Sequence, residues 1–350
     1  MTGNPSWDTR GRLLSELQKA GGAVLSGEGL ASLCGVSRTA IWKAARALKA
    51  EGYPVFSVPK GYGLDPASDL LTLEGVTAAY TAMSGPEASF TVFREIDSTN
   101  SHARRLLAEA GALRDPQGML TGAGRRLHRS FFAADTQSAG RGRMGRSFSS
   151  PPGCGLYFTL VFCPSSPVTD PARHTTSAAV AVCRTLSSLY GIDCGIKWVN
   201  DIFFQGKKIC GILTEGVSSL ESGGIEALVT GIGINVREPP GGFPPELRPI
   251  AGAVTAEFPP AVPPRNRLAG ELAFNLLRVF EGEDPASVLE EYKARSIILG
   301  KEVEVHSLGG NTPFYTAAAL DIDGNARLVV RTQSGETLRL SSGEVRINPG

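Results

Sequence analysis

A run of alternating glycine and arginine residues, enclosed by two apolar segments, constrains the fold of this chain more than any other feature. Its residues in order are Gly140, Arg141, Gly142, Arg143, Met144, Gly145 and Arg146. Glycine lets the backbone pass close to a ligand, while arginine binds carboxylate or phosphate oxygens bidentately and keeps its charge. The apolar segments 129–134 and 155–162 have the composition of buried strands. The sequence therefore predicts an anion-binding loop between two core strands; the alternative is a solvated basic loop.

Length and composition exclude several classes of protein. A chain of 350 residues suits two or three domains, and no apolar run approaches the roughly 20 residues of a membrane helix. The first eight residues lack the basic and apolar regions of a signal peptide, so we expect a cytoplasmic protein. The six cysteines include no Cys-x-x-Cys pair and the four histidines do not cluster. We therefore expect reduced thiols and no structural zinc.

The first 64 residues have the pattern of a winged helix-turn-helix. Apolar spacing predicts a helix over residues 10–20 and two more helices across a tight turn at Gly35. Ser37 is placed to cap the third helix, because its hydroxyl can accept from a backbone N–H of the first turn. Residues 55–64 then predict a hairpin with Lys60 and Gly61 at its tip.

Charge is distributed unevenly along the chain. The net charge is only +1, yet residues 1–64 hold eight Lys or Arg against four Asp or Glu. Such a surplus is typical of phosphate binding, and four of the eight lie on the predicted third helix, which would enter the major groove of DNA. The DNA contacts that we predict are Ser37, Arg38, Thr39 and Lys43. The alternative is a protein-interaction or purely structural unit with a solvated basic face.

The glycine-arginine loop, which is followed by Ser-Pro-Pro-Gly and Leu-Tyr-Phe, resembles the ligand loop of biotin protein ligases. Three further parts resemble the same family in the same order: 97–100 (Asp-Ser-Thr-Asn), 197–202 (Lys-Trp-Val-Asn-Asp-Ile) with 207–215 soon after, and 231–236 (Gly-Ile-Gly-Ile-Asn-Val). Residues 1–64 resemble the DNA-binding domain of the bifunctional members, which repress biotin operons. The resemblance covers nearly the whole chain.

This resemblance implies an α+β protein with three domains. They are a winged helix-turn-helix over residues 1–64, a catalytic domain with a mixed sheet like that of biotin and lipoate ligases over 65–295, and an SH3-like β-barrel over 296–350. Short predicted strands separated by turns at 323–324 and 334–335 agree with the barrel. It also implies operator DNA and a biotin carboxyl carrier protein as partners, a homodimer, no membrane, and ATP, Mg²⁺ and biotin as ligands.

The resemblance assigns a biotin pocket. Ser98, Thr99 and Asn100 would face the neutral ureido ring, which needs a donor and an acceptor; by themselves these residues also suit a helix N-cap. Gln137 would bind the same ligand. The full set of predicted biotin contacts is Ser98, Thr99, Asn100, Gln137, Gly140, Arg141, Gly142, Arg143, Lys197 and Gly211.

The resemblance to the family also assigns a catalytic role to Lys197, Arg141 and Arg143. A lysine at a strand end can simply be solvated, but here tryptophan and Asn-Asp follow it closely. Val199 stands where the family usually has proline, so we expect altered geometry with activity retained. Phe148 replaces a tryptophan that many relatives stack on adenine, and a phenyl ring offers a smaller stacking face. The predicted nucleotide contacts are Arg143, Arg146, Phe148, Asn200, Lys208 and Asn235.

The remaining segments are expected to connect or cover these parts. Residues 111–129 read as a surface insertion, and the proline-rich residues 238–266 as a connection that wanders over the surface. The resulting hypothesis is a ligase that adenylates biotin, orders its loop to exclude water, and transfers biotin to a carrier lysine. Two alternatives stay open: a lipoate or octanoate ligase, and a non-catalytic transcription factor that senses biotin.

Overall fold

The computed structural model describes residues 8–66, 68–164, 168, 171–218, 224–257, 263–306, 313–341 and 344–347. The chain divides into two compact units. One contains Met1–Ser84 and Glu257–Gly270, and the other contains Gly85–Ala256 and Glu271–Gly350. Within the described residues, no helix combines the length and apolar character needed to cross a membrane. The predicted domain boundaries at residues 64 and 295 stay a proposal.

The first unit contains the predicted winged helix. Its elements are α1 (Thr9–Lys19), α2 (Gly27–Cys34), α3 (Arg38–Ala50), the antiparallel strands β1 (Val55–Val58) and β2 (Gly61–Leu64), and α4 (Leu73–Thr81). Gly35 ends α2 with a left-handed φ of 66°, which glycine adopts without a Cβ clash. Ser37 caps α3, because its Oγ accepts from the N–H of Ala40 at 3.2 Å. Leucines of all three helices form the core, among them Leu13, Leu17, Leu30 and Leu48.

A buried polar network fixes α4 and the start of α8 (Arg265–Leu277) within the same unit. Arg265 and Asp69 form an ion pair at 3.0 Å with only 2% and 3% of their side chains exposed. Asn266 accepts from the N–H of Thr72 at 2.8 Å, and the Thr72 hydroxyl receives a hydrogen bond from Gln18 of α1 at 2.8 Å. The helix-turn-helix is therefore tied to residues that lie far from it in sequence.

The second unit is organised around a seven-stranded sheet in the order β3-β4-β5-β9-β8-β7-β6. Its strands are β3 (Ser89–Ile96), β4 (Ser130–Gln137), β5 (Gly155–Phe162), β6 (Gly195–Lys197), β7 (Asp201–Phe204), β8 (Lys207–Ser218) and β9 (Ile225–Asn235). Only β3 and β4 run parallel in this sheet; the other neighbours are antiparallel. Every residue of β5 is buried, as its unbroken apolar run predicts.

Helices accompany the sheet in this unit. They are α5 (Thr99–Glu109), α6 (Gly122–Leu127), α7 (Ala172–Tyr190), the later part of α8, and α9 (Pro285–Ala294). Helix α5 packs on β4, β5 and β9, while α7 packs on β7, β8 and α9. Asp284 caps α9 through hydrogen bonds from the N–H groups of Ala286 and Ser287.

A second, five-stranded antiparallel sheet follows in the order β13-β12-β11-β10-β14. Its strands are β10 (Glu302–His306), β11 (Pro313–Ile322), β12 (Leu328–Thr332), β13 (Thr337–Leu340) and β14 (Glu344–Ile347). This sheet is consistent with the predicted small barrel, and so the expected fold class is confirmed. Strand β14 was not predicted from the sequence.

Two expectations about connecting segments were wrong in part. Residues 111–129 are not only surface, because they include α6 and because Leu113, 4% exposed, packs into a core cluster with Leu107 and Phe132. Residues 238–257 do not wander over the surface, because Phe243 and Val254 are 7% and 4% exposed. Lys208 donates its N–H to Ile250 O and accepts from Gly252 N–H, which holds this segment against β8. Residues 258–262 lie outside the described residues.

Candidate active site

A cavity of ≈ 260 Å³ in the second unit gathers nearly every site residue that the sequence predicts there. Those lining it are Ser98, Thr99, Asn100, Gln137, Arg141, Gly142, Arg143, Arg146, Phe148, Lys197, Asn200, Lys208, Gly211 and Asn235. Gly140 does not line it. A Cβ at Gly140 would lie 2.4 Å from the carbonyl oxygen of Phe148 and 2.6 Å from Oγ of Ser150. Gly140 therefore permits a close backbone approach to residues 148–150.

Ser98, Thr99 and Gln137 add polar, uncharged groups to the cavity lining. Oε1 of Gln137 accepts from the N–H of Thr99 at 2.8 Å and from its hydroxyl at 3.1 Å. Nε2 of Gln137 donates to Oγ of Ser150 at 3.0 Å. Ser98 caps α5 with its side chain, in the N-cap role that the sequence also allowed. These side chains suit a neutral ligand group that both donates and accepts hydrogen bonds.

The amide of Asn100 is held by other protein groups. Its Oδ1 accepts from Thr159 Oγ1 at 2.7 Å, and its Nδ2 donates to Glu215 Oε2 at 3.1 Å. A Cβ on Gly231 would lie 2.2 Å from Asn100 Oδ1, so glycine is needed on the facing strand. The direct ligand contact expected of Asn100 stays a prediction, whereas its orientation is set by these partners.

The glycine-arginine loop folds back on itself over the cavity. The N–H of Gly142 donates to Arg146 O at 2.7 Å, and the N–H of Phe148 donates to Gly140 O at 2.9 Å. Met144 takes a φ of 59° and Gly145 a φ of 74°, both in the left-handed region, where the chain reverses. The loop thus presents Arg141 and Arg143 toward the cavity from one short turn.

Three charged residues that line the cavity lie at or beside the turn between β6 and β7. Lys197 and Asp201 are paired residues across this turn, and Lys208 Nζ lies 2.6 Å from Asp201 Oδ1. Nζ of Lys197 lies 6.0 Å from the ring centroid of Phe203. Two ammonium groups and one carboxylate therefore leave a net positive charge on this side of the cavity, which favours an anionic ligand.

Phe148 forms an aromatic surface between two glycines. A Cβ on Gly233 would lie 2.5 Å from the Phe148 ring, and one on Gly211 would lie 3.4 Å from it. The edge of Tyr157 faces the same ring, with centroids 6.3 Å apart. Glycine at both positions leaves room for the ring against the sheet, where it can stack on a flat ligand.

The sequence did not identify several residues that line the cavity. They include Trp198, Asp201, Leu213, Phe243, Leu247, Ile250, Ala251 and Val345. Phe243, Leu247 and Ile250 have the spacing of one helical face, which was an available signal inside a segment that looked like a linker. Trp198 donates from Nε1 to Ala326 O at 2.9 Å, and this connects the catalytic turn to the C-terminal sheet.

The predicted DNA contacts lie together in the first unit. Ser37, Arg38, Thr39 and Lys43 are all exposed, at the start of α3. Trp42, on the same helix, is 50% exposed. The guanidinium of Arg46 lies over the Trp42 ring, with its Cζ atom 5.6 Å from the ring centroid. This face offers cations and an aromatic ring together, a combination that occurs in nucleic-acid interfaces.

Comparisons with known proteins show which proteins this chain is similar to. A model of the biotin/lipoate A/B protein ligase family matches residues 128–235, and a model of a helix-turn-helix domain matches residues 10–63. The bifunctional ligase/repressor BirA of Bacillus subtilis is 32% identical over 334 residues, which are 92% of this chain and 94% of that protein. The bifunctional ligase/repressor BirA of Escherichia coli is 28% identical over 339 residues, 93% of this chain and 95% of that protein.

A solved structure shares the fold. It is a biotin protein ligase from Aquifex aeolicus in complex with biotin and ATP, with a TM-score of 0.55 and 22% sequence identity. The match covers 74% of this chain and 98% of that chain.

Proposed function

Because this chain belongs to the biotin protein ligase family, in its bifunctional ligase/repressor form, we propose that it adenylates biotin with ATP and transfers the biotinyl group to a lysine of a biotin carboxyl carrier protein. The observation that carries this proposal is the convergence of Arg143 and Lys197 on one cavity that also has uncharged polar groups and an aromatic surface. Biotin has a matching neutral ring and carboxylate, and ATP has a flat base.

In the first step an oxygen of the biotin carboxylate attacks the α-phosphorus of ATP. A new P–O bond forms, the bond between the α- and β-phosphates breaks, and pyrophosphate leaves. Lys197 contacts the carboxylate before the attack and stabilises the negative charge that develops on the phosphoryl oxygens during it. Arg143 holds the phosphate side in line with the carboxylate, which lowers the entropic cost of the reaction.

The product, biotinyl-5′-adenylate, is a mixed anhydride that water would hydrolyse. The loop over the cavity excludes water from it. We expect the loop to be mobile in the ligand-free protein and ordered by nucleotide and biotin. Protection of residues 140–146 from protease only with both ligands would support this order, and equal protection without them would contradict it.

Mg²⁺ would enter with ATP. In the described part of the chain, no group of three His, Cys, Asp or Glu side chains could hold a metal ion. Asp201 is the one carboxylate among the described residues that line the cavity. This fits an ion bound mainly by phosphate oxygens with one protein carboxylate, where it would neutralise phosphate charge.

In the second step the ε-amine of a carrier lysine attacks the acyl carbon of the adenylate. A C–N bond forms, the bond from the acyl carbon to the phosphate oxygen breaks, and AMP leaves with its negative charge near Lys197 and Arg143. The acceptor lysine loses a proton and becomes an amide.

The C-terminal sheet reaches this cavity through Val345.

The first unit binds operator DNA through the start of α3. The family's bifunctional members are named ligase and repressor, and the exposed basic face of α3 supplies the phosphate contacts that such binding needs. We propose that the chain acts on DNA as a homodimer, because two-fold symmetric proteins match two half-sites. We place the protein in the cytoplasm, where operator, biotin and ATP are available.

A lipoate or octanoate ligase is the second candidate, because the matching family model includes lipoate ligases. Lipoate lacks the ureido ring that Thr99 and Gln137 suit. A competition assay with labelled biotin and excess lipoate separates the two. A non-catalytic biotin sensor would not need Lys197, which is present at the cavity.

The test of the proposed function is transfer of labelled biotin to an isolated biotin carboxyl carrier domain. We expect transfer that needs ATP, Mg²⁺ and the acceptor lysine. Labelling that persists after the acceptor lysine is replaced by arginine, or labelling with lipoate alone, would contradict the proposal.

A further inference from the structure

Glu215 of β8 lies at the centre of a charged cluster beside the cavity. Its carboxylate accepts from Asn100 Nδ2 at 3.1 Å and from Arg104 Nη1 at 2.9 Å. It also pairs with Arg141, whose Nη1 lies 3.3 Å from Oε2 and whose Nη2 lies 3.2 Å from Oε1. One carboxylate thus connects the glycine-arginine loop, helix α5 and the sheet.

The environment makes these contacts stronger than ordinary surface pairs. The side chain of Glu215 is only 17% exposed, whereas those of Arg104 and Arg141 are 51% and 39% exposed. A partly buried carboxylate needs charged or hydrogen-bonded partners, and charge-assisted hydrogen bonds are roughly twice as strong as neutral ones. Removal of the Glu215 charge therefore affects both arginines.

Of the two arginines, only Arg141 belongs to the loop. Its guanidinium lines the cavity and reaches Glu215 on the adjacent strand of the wall. On the other side, Arg143 donates to Asn200 at 2.9 Å. In its folded-back position the loop is therefore attached to β8 and to the β6–β7 turn, and bound nucleotide and biotin would favour this position over the mobile one proposed above.

We propose that Glu215 is a positioning residue that holds the glycine-arginine loop over the cavity through Arg141 and orients the amide of Asn100. This inference rests on the proposed function. Its consequence is kinetic: the adenylate stays bound because the Glu215–Arg141 pair keeps the loop in place. Arg141 then acts on the loop more than on the reacting atoms.

The competing explanation is that Glu215 only supports helix α5. In that case the important partner is Arg104, which lies on α5 outside the loop. A double-mutant cycle separates the two explanations, because residues that act together give non-additive effects. The variants are Glu215→Gln, Arg141→Met and Arg104→Met in the full chain.

The measurement is the half-life of biotinyl-5′-adenylate on the enzyme, formed from labelled biotin and ATP and then diluted into unlabelled biotin. We expect release to be about tenfold faster with Glu215→Gln and with Arg141→Met, and no faster in the double variant than in either single one. Arg104→Met should change release by about twofold or less, because Arg104 lies on α5, outside the loop, and its side chain is half exposed. In Glu215→Gln, whose side chain is outside the cavity lining, the rate of pyrophosphate exchange at saturating substrates should change much less than the rate of release.

Unchanged release in Glu215→Gln, or additive effects with Arg141→Met, would overturn the proposal. The proposal would also be overturned if the effect of Glu215→Gln on release were non-additive with that of Arg104→Met but additive with that of Arg141→Met. If Glu215→Gln does not fold, Glu215→Asp replaces it, because it keeps the charge and shortens the reach; release should then lie between wild type and Arg141→Met, and a wild-type rate would count against the proposal. If the wild-type protein forms no adenylate, the proposed function fails instead.

Discussion

Arg143 Nη1 donates to Oδ1 of Asn200 at 2.9 Å, and this bond joins the glycine-arginine loop to the turn that carries Lys197. Asn200 is itself fixed, because its Nδ2 donates to Ile212 O at 2.9 Å and its carbonyl accepts from Ile212 N–H at 3.0 Å. The two cations that the sequence places 54 residues apart are therefore parts of one structural assembly.

Arg143→Lys should release the adenylate early. Lysine keeps the charge but replaces the planar guanidinium that donates to Asn200 Oδ1 with a flexible ammonium, so this attachment of the loop is weakened. We expect about tenfold faster release of labelled adenylate and detectable labelling of unrelated proteins, corresponding to about 1.4 kcal/mol. The control is Arg331→Lys, on an exposed position of the C-terminal sheet, which should release at the wild-type rate. Equal release from both variants would contradict the role of Arg143.

Gly233→Ala should weaken ATP binding selectively. The new Cβ would lie 2.5 Å from the Phe148 ring, so the ring must move away from the sheet. Overpacking of this kind costs about 1–3 kcal/mol, and we expect the KM for ATP to rise about tenfold with little change in the KM for biotin. Gly324→Ala is the matched control, because nothing lies within 4 Å of a Cβ there. An unchanged KM for ATP would argue against Phe148 as a nucleotide contact.

Arg38→Ala and Lys43→Ala should weaken DNA binding without affecting the ligase. Each substitution removes one phosphate contact. The magnitude of the slope of log affinity against log salt concentration should therefore fall by about one per substitution. The probe is duplex DNA selected by the wild-type protein from a random pool, with affinity measured by fluorescence anisotropy. Pyrophosphate exchange serves as the control and should be unchanged. Wild-type affinity and salt slope in both variants would show that α3 does not contact the phosphates.

Stability should fall as the pH is lowered from about 6.5 to about 4. Burial, with a smaller effect of Arg173, lowers the pKa of His174 from 6.5 to about 4. Its Nδ1 has no hydrogen-bond partner among the described residues, and its ring lies 5.1 Å from that of Phe280. An unfolded chain takes up a proton near pH 6.5 whereas the folded protein does not until about pH 4, so protonation favours unfolding across this window.

At the acid end of that window, His174 lowers the free energy of unfolding by about 2–3 kcal/mol relative to neutral pH. This effect should disappear in His174→Leu, which cannot titrate. Urea unfolding at several pH values measures this effect. The difference in the free energy of unfolding between wild type and His174→Leu should not depend on pH above pH 7. A difference that does not change between pH 7 and pH 4 would contradict the neutral state of the half-buried His174.

The sequence predicted those parts of the molecule that depend on neighbouring residues. The cap at Ser37 and the buried strand β5 follow from local pattern, and the structure has both. The site residues could be grouped because four motifs occur in the order of one family. Their positions on a single cavity depend on strand register, for example the pairing of Gly211 with Gly233 across β8 and β9, which the sequence alone does not give.

Other features depend on contacts between distant residues, which local pattern does not contain. The side chain of Glu215 meets that of Asn100 across 115 positions of sequence, and nothing near either residue indicates the pair. Phe243 and Ile250 looked like parts of a linker because prolines surround them, yet they line the cavity. The ion pair of Lys208 with Asp201 lies beside a β-bulge between Ile202 and Phe203, which a propensity argument cannot locate.

The most direct test of the account is ATP–pyrophosphate exchange dependent on biotin, because it reports the first step alone. The wild-type protein should exchange label only when biotin is present, Lys197→Ala should lose at least about a hundredfold of this activity, and Lys301→Ala, at an exposed position, should retain it. Exchange that does not need biotin, or that survives unchanged in Lys197→Ala, would contradict the claim that Lys197 acts at the carboxylate and phosphate.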